Sequence, residues 1–300
     1  MRRRRWDLTA TGSRSLWGAV VAVSCCVLAA GCSNGAAGGT TSTTSLGGTS
    51  GTAASTTSTS TSTSTSTSTS TSTTTTTLPG LAQPTAAKPI TILDVGDSLG
   101  EDLGLGLGYT LDTNPLVHVL QDAVGDTGLA RPDYYNWPAH LATELQQDRP
   151  QVVMILVGGN DAQNFLVNGE PVVFGTPQWH RIYSQRVALM MSETLAAGAK
   201  LLWVGLPIMQ DPTFAASMET LNAIYKKQAA LHPGVVFLPT WSLFSNPEGQ
   251  YTTYLTNSSG QSVLARDPDG VHIAPPGGCD IIAIAATKEM EKVWRVHVGV

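Results

Sequence analysis

One serine, one histidine and one aspartate have the types and spacing required for nucleophilic catalysis. Asp269 and His272 are three residues apart with Gly270 between them. A tight turn there can direct the carboxylate to one imidazole nitrogen and leave the other nitrogen to accept the proton of a serine hydroxyl. Ser98 follows an apolar run and precedes a helix-like segment. On such a turn its backbone N–H and the helix dipole favour a developing negative charge, although a serine there is equally suited to cap the helix.

An amide side chain follows a second apolar run. Asn160 comes directly after 154–157 and two glycines. Its side-chain N–H can donate to a negatively charged oxygen, and the alternative is a turn stabilised by Asn160 and Asp161. A DxxH pair can also bind a metal, but no second His or Cys lies at ligand spacing, and HExxH and CxxC do not occur in the folded part of the sequence. We therefore expect neither a metal nor a cofactor.

The elements that must position these residues alternate between apolar runs and helical patterns after Pro79, which predicts an α/β domain with a parallel sheet. The predicted strands are 89–95, 116–123, 151–157, 200–206 and 234–238. The predicted helices are 99–112, 137–148, 178–197, 212–232 and 280–294. Five strands with crossover helices give a three-layer α/β/α sandwich, whose sites lie beyond the carboxyl ends of the strands. Residues 162–177 lack a helical period and are predicted to form a loop over the site.

Three segments together resemble the sequence blocks of the SGNH, or GDSL, hydrolase superfamily: 96–99 (GDSL), 158–161 (GGND) and 269–272 (DGVH). Segments 127–133 and 202–207 are similar to a bacterial periplasmic branch of that superfamily that has no assigned function. The resemblance covers residues 89–294 and implies a flavodoxin-like fold. It also implies that Ser98 is the nucleophile, activated by His272, which Asp269 orients. The implied oxyanion hole consists of the N–H of Ser98, the Asn160 side chain and the N–H of Gly128, with Gly125 as the alternative glycine.

Two other motifs are weaker alternatives. Residues 96–100 also fit the G-x-S-x-G elbow of α/β-hydrolases. That fold places several strands before its nucleophile, whereas only a Ser/Thr-rich segment precedes the strand before Ser98. Gly104, Gly106 and Gly108 have the spacing G-x-G-x-G inside a helix, whereas a dinucleotide site needs G-x-G-x-x-G directly after the strand.

The first 31 residues have the features of an export signal, with a basic start and an apolar stretch from 16 to 30 that is too short for a membrane span. They end at Cys32 in a pattern that resembles a lipobox, which implies cleavage at 1–31 and a lipid anchor on Cys32. The alternative is an ordinary secreted protein. Residues 32–86 are rich in Ser and Thr and are predicted to be a disordered tether, which leaves 87–300 as the hydrolase domain.

Charge and cysteine content agree with this organisation. The whole chain has a net charge of −5, and because residues 1–31 hold five Arg and one Asp, the remainder carries −9. An acidic mature chain is a poor partner for nucleic acid. Cys279 is the one cysteine of the predicted domain, so no internal disulfide is expected there, and a buried apolar role is favoured for it. We expect a monomer on the extracytoplasmic face of the membrane.

These features predict an exported serine esterase acting on O-acyl esters, above all O-acetyl esters, of cell-envelope glycans. The alternatives are an O-acyltransferase with the same triad and a catalytically inactive envelope-binding module. Arg131 is a candidate partner for an anionic substrate group, with a surface ion pair as the alternative. Five aromatic residues are candidates either for a substrate platform or for core packing: Tyr134, Tyr135, Trp137, Trp179 and Trp241.

Overall fold

A computed structural model of the chain describes residues 78–299. The predicted signal segment, Cys32 and the tether up to residue 77 lie outside the described residues. Residues 78–86, assigned above to the tether, lie against the end of the last helix. The N–H of Leu81 donates to the Trp294 carbonyl at 2.9 Å, and Leu81 packs against the core. The folded part therefore begins before the predicted boundary at residue 87, because this segment has apolar side chains to bury.

The regular elements alternate along the chain much as the apolar runs predict. In chain order they are β1 (Ile90–Gly96), α1 (Ser98–Leu111), β2 (Val117–Gln121), α2 (Trp137–Asp148), β3 (Val152–Leu156), β4 (Phe165–Val167), β5 (Glu170–Val172), α3 (Pro177–Ala196), β6 (Lys200–Val204), α4 (Pro212–Leu231), β7 (Val235–Leu238), a 3₁₀ turn (Ser242–Phe244), β8 (Tyr254–Thr256), β9 (Ser262–Leu264) and α5 (Gly277–Trp294).

Five of the strands form one parallel sheet in the order β2-β1-β3-β6-β7. Counted along the chain this is the order 2-1-3-4-5, which is the flavodoxin-like arrangement. The register pairs Gly96 with Leu156. The carboxyl ends of β1 and β3 therefore lie side by side, and the residues that follow them, Ser98 and Asn160, share one edge of the sheet.

Helices cover both faces of this sheet. α1 packs against α5, while α2 packs against α3 and α3 against α4. Every residue of β3 is buried, as expected for a strand covered on both sides. The three-layer α/β/α sandwich predicted from the sequence is confirmed. Within residues 78–299, no helix combines the length and the apolar character needed to span a membrane.

Four of the five α-helices, α1 to α4, begin at residues that satisfy their free N–H groups, whereas α5 has no side-chain cap. The side chains of Asp97, Asn136, Thr176 and Asp211 accept from the backbone within the first turns of α1, α2, α3 and α4. Proline also occupies an early position of α2, α3 and α4, where its missing N–H has no helical partner to lose. These local signals explain why the helix starts were predictable to within a few residues.

Two small hairpins were not predicted. β4 and β5 pair within 162–177, the segment predicted to be a loop, and β8 and β9 pair between the last sheet strand and the Asp269–His272 segment. Each strand has only three residues. A period of two cannot be recognised over so short a run.

The glycine run of α1 has a packing role. A Cβ at Gly106 would lie 2.0 Å from the carbonyl oxygen of Cys279, so the backbones of α1 and α5 touch there. A Cβ at Gly104 would lie 2.4 Å from a carboxylate oxygen of Asp94 on β1. The run therefore brings α1 close to α5 and to the sheet.

We predict that Gly106→Ala destabilises the protein by about 1–3 kcal/mol because its methyl group would overlap the α5 backbone. The matched control is Gly108→Ala in the same helix, where the added Cβ would lie 3.2 Å from the flexible end of Gln121. There the better helix propensity of Ala, about 0.5–1 kcal/mol, offsets the contact. Urea unfolding measures both, and equal stabilities for the two variants would contradict the close helix contact.

Candidate active site

The structure brings Ser98, His272 and Asp269 into one hydrogen-bonded chain. His272 Nε2 lies 2.9 Å from Ser98 Oγ, and His272 Nδ1 lies 2.6 Å from Asp269 Oδ2. A proton on Nδ1, held by the carboxylate, leaves Nε2 to accept the serine proton. The side chains of His272 and Asp269 are 35% and 48% exposed, so a ligand has access to the chain from solvent.

The turn between Asp269 and His272 follows the local chemistry of its residues. Asp269 Oδ1 accepts from the N–H groups of Val271 and His272 at 2.8 and 3.0 Å, while Oδ2 binds the imidazole. Gly270 has a φ of +72°, and a Cβ there would lie 2.4 Å from Gln210. Only glycine fits this position without strain, and the tight turn places the carboxylate beside the imidazole.

Electrostatics at the pair favour a charged carboxylate and a basic imidazole. Burial acts to lower the pKa of His272, but the hydrogen bond to Asp269 and the charges of Asp269 and Asp102 outweigh it and raise that pKa above its ordinary value. Burial acts to raise the pKa of Asp269, but its hydrogen bonds to His272 and Val271 leave it below the ordinary value. The imidazole is thus a stronger base than a free histidine.

Arg266 fixes the turn from inside the protein and was missed by the sequence analysis. Its side chain is fully buried. It donates to the carbonyl oxygens of Val271 at 2.7 Å and His272 at 3.3 Å, and to the Ile208 carbonyl on the loop after β6. The ring of Tyr251 lies 5.2 Å from the guanidinium. The planar guanidinium has five N–H groups on three nitrogens and can reach carbonyls on separate loops at once, whereas the three donors of a lysine ammonium share one nitrogen.

The side chain of Asp97 connects the serine turn to the loop that carries Asn160. Its Oδ1 accepts from the N–H of Leu99 at 3.0 Å, and its Oδ2 accepts from the N–H groups of Gly158 and Gly159, both at 2.7 Å. Asp97 is completely buried, and this burial raises its pKa to about 7 although the three N–H donors oppose the shift. The residue before Ser98 therefore sets the distance between Ser98 and the Asn160 loop.

Asp161 holds the third loop of the site in the same manner. Its two carboxylate oxygens accept from the N–H groups of Leu129 and Ala130 at 2.9 and 2.7 Å, and the hydroxyl of Tyr183 donates to it at 2.6 Å. Burial raises the pKa of Asp161, against these hydrogen bonds. A Cβ at Gly128 would lie 2.2 Å from Asp161, so the loop packs directly on this carboxyl group.

The three N–H groups predicted to form the oxyanion hole differ in their hydrogen bonds. The N–H of Ser98 lies in the first turn of α1, where no helical acceptor exists. Asn160 Nδ2 donates one N–H to the Thr127 carbonyl at 2.9 Å, which leaves its second N–H. Among residues 78–299 the Gly128 N–H makes no hydrogen bond, whereas the Gly125 N–H donates to Glu101 at 3.1 Å. Gly128 and Asn160 line the same cavity, which favours Gly128 over Gly125.

The structure separates the aromatic candidates. Trp137 and Trp179 are core residues with 1% and 0% of their surface exposed, and Trp241 is partly buried against the core. Tyr135 also packs against the core, and its ring lies 4.8 Å from that of Trp137. Tyr134 is 64% exposed and lines the cavity beside Asn160. Arg131 pairs with Asp133 at 2.8 Å, and Cys279 is a buried free thiol, as favoured above.

One cluster among the described residues has side chains of metal-ligating type. Potential ligand atoms of Asp122, His140 and Glu144 all lie within 4.8 Å of one another. His140 Nε2 is 2.7 Å from Asp122 Oδ2, so a hydrogen bond between them already accounts for their proximity. This cluster contains none of Ser98, Asp269 and His272. It was not predicted from the sequence, where only short spacings of His and Cys were considered.

Residues 91–289 match the model of the family described as "Protein of unknown function (DUF459)". The chain belongs to this family. It is an SGNH-like family, in agreement with the resemblance found in the three sequence blocks. A comparison with curated proteins gives no significant match.

Several solved structures are similar to the chain. A GDSL-like lipase from Bacteroides thetaiotaomicron is 15% identical with a TM-score of 0.47, covering 71% of this chain and 92% of its own. A catalytic mutant of an acetylxylan esterase from Geobacillus stearothermophilus is 14% identical with a TM-score of 0.43, and the match covers 67% of this chain and 94% of the esterase. A carbohydrate esterase family 3 protein from Talaromyces cellulolyticus is 14% identical with a TM-score of 0.46, and the match covers 69% of this chain and 100% of that protein. Similarities this low assign no activity.

We predict that Asp97→Asn lowers the free energy of unfolding by about 1–3 kcal/mol, because an amide nitrogen cannot accept from the backbone N–H groups, whereas both oxygens of a neutral or charged carboxyl group can. Because the pKa of Asp97 is higher in the folded protein than in the unfolded chain, binding of a proton to this carboxyl group stabilises the fold. This contribution to the free energy of unfolding decreases as the pH rises from about 4 through about 7. The stability difference between the wild type and the variant should therefore be largest near pH 4. Urea unfolding across this pH range measures it, with the exposed Asp112→Asn as control; a difference that grows with pH would contradict the assignment.

Proposed function

We propose that this protein is an extracytoplasmic serine esterase that acts on O-acyl esters, above all O-acetyl esters, of cell-envelope glycans. The observation that carries the proposal is the hydrogen-bonded chain from Ser98 Oγ through both nitrogens of His272 to Asp269. The location follows from the export signal and the lipobox-like Cys32, and the glycan substrate follows from that location. Cys32 as the lipid-carrying residue is part of the same proposal.

In the proposed mechanism Ser98 Oγ attacks the ester carbonyl carbon while His272 Nε2 takes the hydroxyl proton. Negative charge collects on the former carbonyl oxygen, which the N–H groups of Ser98, Gly128 and Asn160 stabilise. The C–O bond to the alcohol then breaks, and the imidazolium returns the proton to the departing oxygen. An acyl ester on Ser98 remains, and Asp269 stabilises the imidazolium without accepting its proton.

The second half-reaction decides between hydrolysis and transfer. A water molecule that gives its proton to His272 attacks the acyl carbon, the bond from that carbon to Ser98 Oγ breaks, and the imidazolium returns the proton to Oγ as the carboxylic acid leaves. A sugar hydroxyl in the place of water gives acyl transfer by the same steps. The partial exposure of His272 admits either acceptor. An O-acyltransferase is therefore the second candidate.

Acetate release from isolated bacterial cell wall, measured with the purified full-length protein, tests the proposal. We expect release with the wild type and none above background with Ser98→Ala or His272→Ala. Acetate that appears on an added oligosaccharide instead of in solution would identify a transferase. Equal release by the wild type and Ser98→Ala would refute the proposed catalysis, and no reaction with any ester would favour an inactive binding module.

We expect Asn160→Ala to reduce kcat by roughly 10²- to 10³-fold, because one oxyanion donor is lost. The change in KM should be small, since this N–H binds the transition state more strongly than the ester ground state. Steady-state kinetics with p-nitrophenyl acetate measure both constants. An unchanged kcat would show that Asn160 is not an oxyanion donor.

The pH dependence of kcat/KM should report the raised pKa of His272. Because only the neutral imidazole acts as a base, activity is lost as the pH falls through that pKa, so the midpoint of the acidic limb should lie above 6.5. Asp269→Asn removes the negative charge that raises the pKa, so the midpoint should move to lower pH. Its amide can donate to Nδ1 and hold the imidazole in the wrong tautomer, so kcat should fall by up to about 10⁴-fold. A midpoint unchanged in this variant would contradict the assigned pairing.

A further inference from the structure

A cavity opens next to the proposed oxyanion donors. Its volume is about 220 Å³, and its walls include Gly128 and Asn160 but not the triad side chains. This volume equals that of about seven water molecules at ~30 Å³ each, which is enough for one ring-sized group. The cavity therefore lies where a part of the substrate beyond the reacting carbonyl would extend.

The lining of the cavity combines polar and apolar surface. Besides the proposed oxyanion residues it includes three residues with polar side chains, Asp126, Arg131 and Gln163. A hydrocarbon chain placed there would take these groups out of water without replacing their hydrogen bonds, which is unfavourable. An occupant with several hydroxyl groups would replace those bonds.

The charges at the cavity favour an uncharged occupant. Arg131 makes a two-point contact with Asp133, with Nε–Oδ1 and Nη2–Oδ2 distances of 2.9 and 2.8 Å. This contact raises the pKa of Arg131 and lowers that of Asp133, so both remain charged and neutralise each other. Asp126 on the same lining repels an anion. The anionic substrate group considered for Arg131 is therefore disfavoured.

The loop that carries these residues also presents an aromatic face. The N–H of Tyr134 donates to the Arg131 carbonyl at 3.0 Å, which closes a turn and places Tyr134 and Arg131 on the same cavity lining. Tyr134 leaves 64% of its surface exposed. An exposed aromatic ring offers apolar area that the C–H face of a sugar ring can cover while the sugar hydroxyls stay in polar contact.

The loop is held rigidly before any ligand binds. Asp161 binds the N–H groups of Leu129 and Ala130, and Arg186 Nη1 donates to the carbonyl oxygens of the same two residues at 2.8 and 2.9 Å. A loop fixed on both its N–H and C=O sides loses little conformational entropy when a ligand binds. The cavity is thus formed in advance.

We propose that this cavity is a subsite for one uncharged sugar ring of the glycan, with Tyr134 as the stacking surface and Asp126 and Gln163 as hydrogen-bond partners. The inference rests on the proposed esterase function, because it places that ring next to the ester carbonyl attacked by Ser98. It adds that the ring next to the scissile ester is neutral.

Calorimetric titration of Ser98→Ala with neutral trisaccharides of N-acetylglucosamine and of xylose tests the subsite without catalysis. We expect binding of at least one of them, and a Kd about 5- to 20-fold higher when Tyr134→Ala is added. Tyr134→Phe keeps the ring and should restore the affinity. The matched control is Tyr109→Ala, which removes a ring that is 50% exposed and lies about 16 Å along α1 from Ser98. Its Kd should change less than twofold.

Three results would overturn the subsite: no binding of either neutral trisaccharide, equal affinity with and without Tyr134, or tighter binding of an anionic trigalacturonate. A kinetic comparison in the background of active Ser98 gives the second readout: Tyr134→Ala should raise KM for an O-acetylated neutral oligosaccharide, whereas the control Tyr109→Ala should change neither this KM nor the hydrolysis of vinyl acetate. Binding that depends on Tyr134 without hydrolysis of any ester would refute the esterase and leave the subsite. Hydrolysis of vinyl acetate together with sugar binding that does not depend on Tyr134 would support the esterase and refute the subsite.

Discussion

The site depends on two buried carboxyl groups that bind the backbone of neighbouring loops. Asp97 follows β1 and accepts from two N–H groups of the loop after β3, and Asp161 in that loop accepts from two N–H groups of the loop after β2. Parallel strands bring these loops to one edge of the sheet, but the sheet alone does not fix their separation. Each carboxyl group does so by satisfying N–H groups that would otherwise be buried without partners.

The histidine turn is held by a different interaction. It follows a hairpin far from these loops in sequence, and the buried guanidinium of Arg266 joins its carbonyls to the loop after β6. The buried side chains of Arg266, Asp97 and Asp161 thus hold the loop segments that converge on the site. The hydrogen-bonding side chains on these loops are therefore in place before a ligand binds. Such preorganisation is what stabilisation of a developing charge requires, because donors already in place need no reorganisation during the reaction.

Much of this arrangement could be predicted from the sequence. Four of the five sheet strands are apolar runs and four helices carry caps, and both signals depend on residues near in sequence. The serine, asparagine and histidine blocks follow strand ends or tight turns. What was missed depends on distant partners. Arg266 is three residues from Asp269, but its role requires the carbonyl of Ile208. Tyr134 and Trp137 are both aromatic residues of one short segment, and the sequence does not distinguish them. Only the packing of the folded protein leaves Tyr134 exposed and buries Trp137.

The central claim is that Ser98 forms a covalent acyl intermediate with the help of His272. Labelling with a p-nitrophenyl phosphonate ester, followed by mass spectrometry of the digested protein, tests it most directly, because the phosphonate remains on an activated serine. We expect one adduct in the wild type, on the peptide that contains Ser98. Labelling should be strongly slowed in His272→Ala and lost in Ser98→Ala. Labelling of Ser98→Ala at the wild-type rate, or an adduct on another residue, would contradict it.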